Sequence, residues 1–290
     1  MDTPKVVMVT GASSGFGRLI SETLARKGYR VFATMRALEG KNAAPARELR
    51  ELAERESLWL RQLELDVTED ASVERAVGKA IEEAGRIDVA VNNAGYGLIG
   101  VTEAATLEQA RRIMDTNFLG AVRVNRAVLP HMRRQQSGLL IHISSGAGRV
   151  VVPGMGFYCA SKWALEALAE EYRYELAGQH IDSVIIQPGA YPTAVFDKIE
   201  RTADIARTET YGAANSIADR VLGMLASTKR DPQEIANAVL ETIETPFGRR
   251  KLRQRIGSGI DGISELNELS EKVQAQILEA FGAAARAGSE

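Results

Sequence analysis

With 290 residues, 45% of them hydrophobic and 26% charged, the chain can bury a large core, which excludes disorder as its main state and fits one α/β domain over residues 1–290. Lys and Arg total 36 against 38 for Asp and Glu, so no basic excess draws the protein onto nucleic acid. One cysteine, Cys159, and three scattered histidines, His131, His142 and His180, offer neither a disulfide nor a zinc-type cluster, and with no leader-like segment or membrane span the reading is a metal-free cytoplasmic protein.

In chain order, apolar β-branched runs predict strands at Val6–Val9, Val31–Thr34, Leu58–Leu65, Val89–Asn92, Leu139–Ile143 and Val184–Gln187. Helical apolar spacing separates them, as in Leu19–Ala25 and Val73–Ile81. Strands apolar throughout and joined by helices are buried on both faces. This predicts a doubly wound parallel sheet with helices on each side. After Pro188-Gly189 the pattern changes, and residues 193–230, polar and small, read as a substrate lid. Asp231-Pro232-Gln233-Glu234 then predicts a helix start with Asp231 as N-cap, Pro232 at the first position and Glu234 at the third. The basic run Arg249-Arg250-Lys251-Leu252-Arg253-Gln254-Arg255 could grip an anion; the preferred reading is a last strand whose basic side chains guard the sheet edge. Ile263–Phe281 reads as an amphipathic helix that packs on the core or on another subunit.

Between the first strand and helix lies Thr10-Gly11-Ala12-Ser13-Ser14-Gly15-Phe16-Gly17. Its glycines permit a tight turn and the approach of a pyrophosphate to a helix N-terminus, although such a turn also occurs without a ligand. Further along stand Asp66-Val67, Asn92-Asn93-Ala94-Gly95, Ser144-Ser145, Tyr158-Cys159-Ala160-Ser161-Lys162, and Pro188-Gly189 leading to Thr193. With these motifs in this order, residues 5 to 195 resemble the short-chain dehydrogenase/reductases. The wording of the motifs, with Ala33-Thr34-Met35-Arg36, is most similar to the branch acting on steroid, retinoid and related lipophilic alcohols and carbonyls.

The chemistry follows from residue types. Tyr158 and Lys162 are four apart, so on a helix they share a face, where the ammonium can lower the phenol pKa and make Tyr158 the proton donor or acceptor for hydride transfer. The pair alone would be an ordinary surface contact. Ser145 would donate to the same substrate oxygen; Ser144 is the rival, and the resemblance selects Ser145. The resemblance further implies that Lys162 binds the nicotinamide ribose, that Asn117 is a fourth catalytic residue holding a water, and that the backbone of Asn93, Ala94 and Gly95 faces the cofactor. Cys159 and His142 read as packed residues. Where a carboxylate would favour NAD, the second strand ends in Met35-Arg36. A guanidinium pairs with a 2′-phosphate, so NADP is expected over NAD, with Ser13 and Ser14 assisting and Asp66 and Val67 at the adenine edge.

The expected function is therefore an NADP-dependent interconversion of an alcohol and a carbonyl. The alternatives are a non-catalytic NADP-binding sensor and an epimerase or dehydratase using the same tyrosine. Pocket positions Tyr96, Gly97, Gly148–Phe157 and Tyr191–Phe196 are mostly apolar or small, which points to a lipophilic small-molecule substrate. The resemblance implies a homodimer or homotetramer.

Overall fold

Residues 4–192, 199–257, 259 and 262–281 are described in the computed structural model of the protein. The strands are β1 (Val6–Val9), β2 (Arg30–Met35), β3 (Leu60–Glu64), β4 (Val89–Asn92), β5 (Leu98–Ile99), β6 (Gly138–Ile143), β7 (Ile181–Pro188), β8 (Glu200–Arg201) and β9 (Arg253–Ile256). The helices are α1 (Gly15–Arg26), α2 (Ala43–Arg55), α3 (Asp70–Ala84), α4 (Leu107–Met114), α5 (Gly120–Gln135), α6 (Gly156–Glu175), α7 (Ile205–Glu209), α8 (Ile217–Ala226), α9 (Gln233–Glu244) and α10 (Ile263–Ala280).

Seven strands form one parallel sheet in the order β3-β2-β1-β4-β6-β7-β9, and β5 pairs with β8 in a small second sheet. Alternation along each strand builds two cores from one sheet. Val7, Val9, Val31, Ala33, Val91 and Ile141 face α1, α2 and α9; Val6, Met8, Phe32, Ala90 and Leu140 face α3 and α5. The winding reverses between β1 and β4, which opens a crevice at their carboxyl ends. The glycine-rich turn and Asn93–Gly95 sit there.

The expected doubly wound sheet is present, with displaced boundaries. Leu58 does not start β3 because its N–H closes the end of α2 on the Ala53 carbonyl. β7 begins at Ile181, upstream of the apolar run, because Asp182 and Ser183 are buried in it. Asp182 tolerates this through Arg173 at 2.8 Å and Arg250 at 2.7 Å. The helix after the lid starts at Gln233, one residue later than expected. Asp231 still accepts from the Gln233 N–H, while Glu234 turns to Arg230 and Tyr191 instead of capping.

Candidate active site

The site begins with a turn that only glycine fits. Gly11 has φ +68°, and a Cβ on it would lie 2.9 Å from the Ala94 Cα; one on Gly17 would lie 2.5 Å from the Gly11 carbonyl oxygen. Asn93 fastens the turn by donating from Nδ2 to the carbonyls of Thr10 at 2.8 Å and Gly11 at 3.3 Å. The Thr10 hydroxyl accepts from the N–H groups of Asn93 and Ala94. Two loops are thus stitched into the floor of a cavity of about 1120 Å³.

Most of the residues anticipated from sequence line that cavity: Gly11, Ser13, Ser14, Gly15 and Phe16, then Arg36, Asp66, Val67 and Asn93–Gly95, then Ser145, Tyr158, Lys162, Pro188 and Gly189. Gly17 lies beneath the turn, and Thr193 falls outside the described residues.

Ser145, two residues beyond the end of β6, is extended and accepts the Ala147 N–H at 3.2 Å. Its hydroxyl lies on the Tyr158 side of the cavity wall, whereas Ser144 lies beside Glu166. Burial pushes the Tyr158 phenol above its ordinary value, and Ser145 works against that rise. The expected lowering by Lys162 is not part of this geometry. The ammonium lies 5.9 Å from the Tyr158 ring centre and donates to the Ile143 carbonyl at 2.8 Å. Burial pushes Lys162 down to about 8, opposed by Glu166.

Asn117 stands on a single π turn, Asp115–Leu119, between α4 and α5. That extra residue aims its amide inward, a use to which π turns are often put. It donates to the Tyr96 carbonyl and Ser161 Oγ and accepts the Tyr96 N–H. A Cβ on Gly95 would lie 3.0 Å from Asn117 Oδ1 and 3.7 Å from Lys162 Nζ, so the three residues share one corner.

At the far end Arg36 is exposed and lies 3.8 Å from Asp66. Lys41 also lines the cavity here. It was not anticipated, because it sits in a turn without a motif. At the near end Val152, Met155, Ile199, Met224 and Leu225 make an apolar wall. Cys159 is packed behind it, its Sγ 3.3 Å from the Val152 N–H.

The basic run does form an edge strand, but its arginines do not guard the edge. Arg250 pairs with Asp182, and Arg253, its side chain 1% exposed, pairs with Glu166 and Glu170. Buried acids on β7 and α6 draw them inward. Arg255 lines the cavity and donates to the carbonyls of Gln187 and Ile256.

Comparison with known proteins agrees with this arrangement. The short chain dehydrogenase family model matches residues 5–204. A 3-ketodihydrosphingosine reductase of Bacteroides thetaiotaomicron is 38% identical over 208 residues, 72% of each chain. Retinol dehydrogenase 8 of Homo sapiens is 35% identical over 83% of this chain and 78% of its own. A short-chain dehydrogenase structure from Streptomyces avermitilis superposes with a TM-score of 0.78 at 29% identity, covering 97% of this chain and 98% of that one. Other similar structures hold NADP+ (26% identity, TM-score 0.72, 88% of this chain and 98% of that one) and NAD (25%, 0.76, 94% and 95%). A glycine cradle, a Ser-Tyr-Lys wall and this breadth of likeness have one explanation: the chain belongs to the short-chain dehydrogenases, oxidoreductases that work with a nicotinamide dinucleotide.

Proposed function

We propose that the protein is an NADP(H)-linked oxidoreductase that interconverts a secondary alcohol and its ketone, or an alcohol and its aldehyde, on a lipophilic substrate, with Tyr158 moving the proton. The meeting of Ser145, Tyr158 and, one helical turn along, Lys162 on the wall of one cavity carries this reading.

The residues fit a dinucleotide. The turn at Gly11 and Gly17 has no space for a Cβ, and it leaves the start of α1 open to the cavity, as a pyrophosphate requires. Arg36 and Lys41 suit a 2′-phosphate, Asp66 and Val67 the adenine edge, and Asn93–Gly95 with Pro188, Gly189 and Thr193 the remaining length. Lys162 would hold the ribose beside the reacting carbon, and Asn117 would hold a water that connects the lysine to solvent. When bound, nicotinamide supplies or accepts the hydride.

The chain's own residues do the rest. A buried phenol above its ordinary pKa stays protonated, so Tyr158 can donate to a carbonyl oxygen that gains charge, while Ser145 donates a second hydrogen bond to the same oxygen. In the oxidative direction Tyr158 takes the proton back. The apolar wall excludes water and favours a lipophilic body on the substrate. The names of the relatives, which include a 3-ketodihydrosphingosine reductase and a retinol dehydrogenase, agree with that class. Cytoplasmic location and a homodimeric or homotetrameric state complete the reading; among the described residues no helix is long and apolar enough to cross a membrane.

Tyr158→Phe tests it. The variant should bind NADPH as the parent does and lose turnover of a carbonyl panel by about 10²–10⁴, the share of one general acid. Turnover within about tenfold of the parent would overturn the role of Tyr158.

A further inference from the structure

Four ionisable side chains recur at four-residue spacing along α6: Tyr158, Lys162, Glu166 and Glu170. They form one row on the helix. The first two belong to the site above. Glu166 does not, although it is only 2% exposed.

A carboxylate at that depth persists only if its oxygens are fully paired. Gln187 Nε2 donates to Oε1 at 2.8 Å and to Oε2 at 3.0 Å, and Arg253 Nε donates to Oε2 at 2.9 Å. Two oxygens that both accept from N–H donors are the pattern of an ionised carboxylate. Gln187 in turn accepts from Asn267 of α10 at 2.8 Å, and Arg253 reaches on to Glu170 at 2.5 Å. On the cavity side, a Cβ on Gly148 would lie 2.7 Å from Ser144 Oγ and 3.0 Å from Glu166 Oε1, so Glu166 also abuts the strand end that carries Ser145.

Lys162 faces Tyr158 and Glu166 on its own helix and His142 on β6. Behind Glu166 stand Arg253 of β9, Glu170 of α6 and Arg149 of the turn after β6, with Glu271 of α10 beyond. Glu166 is the acid one helical turn from Lys162 on the same face of α6.

We propose that Glu166 is the positioning residue of the site: clamped by Gln187 and Arg253 one turn from Lys162, its carboxylate keeps the Lys162 ammonium charged. The inference rests on the reading of Lys162 as the residue that holds the ribose, and it makes the basic run of the last strand a remote part of the active site. Burial draws Lys162 toward deprotonation near neutral pH, and Glu166 is the group that resists it. Burial also pushes the Glu166 carboxyl upward, against the pull of Arg253 and Gln187, so the clamp is what keeps its charge.

The test titrates Lys162 directly, in full-length protein labelled with ¹³Cε-lysine, the resonance being identified by its loss in Lys162→Arg. In Glu166→Gln the titration midpoint should fall by about one pH unit, the size expected when one adjacent opposite charge is lost. Glu166→Asp should restore it to within about 0.3 pH unit. Glu170→Gln, which removes the other partner of Arg253, should leave it in place. A midpoint unmoved in Glu166→Gln, an equal fall in Glu170→Gln, or no rescue by Asp overturns the proposal. If Glu166→Gln does not fold, Glu166→Gln with Arg253→Gln removes the unpaired charge, and the midpoint should still fall; constancy there overturns the proposal equally. Fluorescence of NADPH and NADH with the parent protein separates the two readings, since failure to bind either would defeat the proposed function while the titration still decides the role of Glu166.

Discussion

Arg36 is the residue on which the proposed preference for NADP over NAD rests. It is more than half exposed and its partner Asp66 lies 3.8 Å away, a separation that costs little to give up for a phosphate. Arg36→Ala should weaken NADP by roughly 10- to 150-fold, the range for losing one charge-assisted bond, and leave NAD nearly unchanged. Measuring kcat/KM for both dinucleotides checks this; an unchanged ratio would show that Arg36 serves only Asp66. Lys41, which lines the same cavity, is the second cation that the proposal offers to the 2′-phosphate. Arg36 was legible in the sequence because it follows a strand by one residue, and Tyr158 and Lys162 because a helix fixes their spacing. Lys41 and Glu166 were not. Lys41 stands in a turn that carries no motif, and Glu166 takes its meaning from Arg253, 87 residues away, a contact that no local pattern announces.

At the scale of elements, the region anticipated as a lid is partly an ordered clasp. Residues 193–198 lie outside the described residues; from Ile199 onward the chain enters β8, which pairs with β5 directly after the cofactor-side loop. Gln109 of α4 holds that strand with its whole amide. Nε2 donates to Glu200 Oε1 and the Arg201 carbonyl, both at 2.8 Å, and Oε1 accepts from Ala203 and Thr106. Gln109→Ala loses these bonds together. Amides of residues 200–210 should then exchange at least about tenfold faster, a single buried bond being worth about 1 kcal/mol, while β1 and β4 stay protected. Equal rates in parent and variant would show that the clasp is held by β5 alone. Sequence reading found the segment by its length and polarity, yet the pairing of Gln109 with residues some ninety positions away is tertiary and leaves no trace in either segment. The edge strand teaches the same lesson, since its basic composition was plain while the inward turn of Arg250 and Arg253 depends on acids contributed by β7 and α6.

For the molecule as a whole, the main strands and the helices on both faces of the sheet were readable because strand and helix periods are local. The polar groups buried between the layers were not. His142, anticipated as a packed residue, is 0% exposed on β6 and faces Asn92 on β4, and burial with the Lys162 charge lowers its pKa to about 3. The unfolded chain takes up this proton near pH 6.5 and the folded protein does not. Stability is therefore complete above pH 6.5 and declines as pH falls toward 3. At pH 5 the loss should be about 2 kcal/mol from this residue alone, seen as a drop in melting temperature that His142→Gln reduces. A variant with the parent's slope between pH 7 and 5 would place the acid sensitivity elsewhere. The buried acids carry a different consequence, which concerns synthesis. Asp182 relies in part on Arg250, and Glu166 and Glu170 on Arg253. A ribosome delivers those two arginines only after β7 and the whole of α6 have left the exit tunnel. Until then the nascent chain holds every motif of the site with carboxylates that cannot enter the core charged, so a premature stop before codon 253 removes the counter-charge of a helix that is otherwise fully encoded.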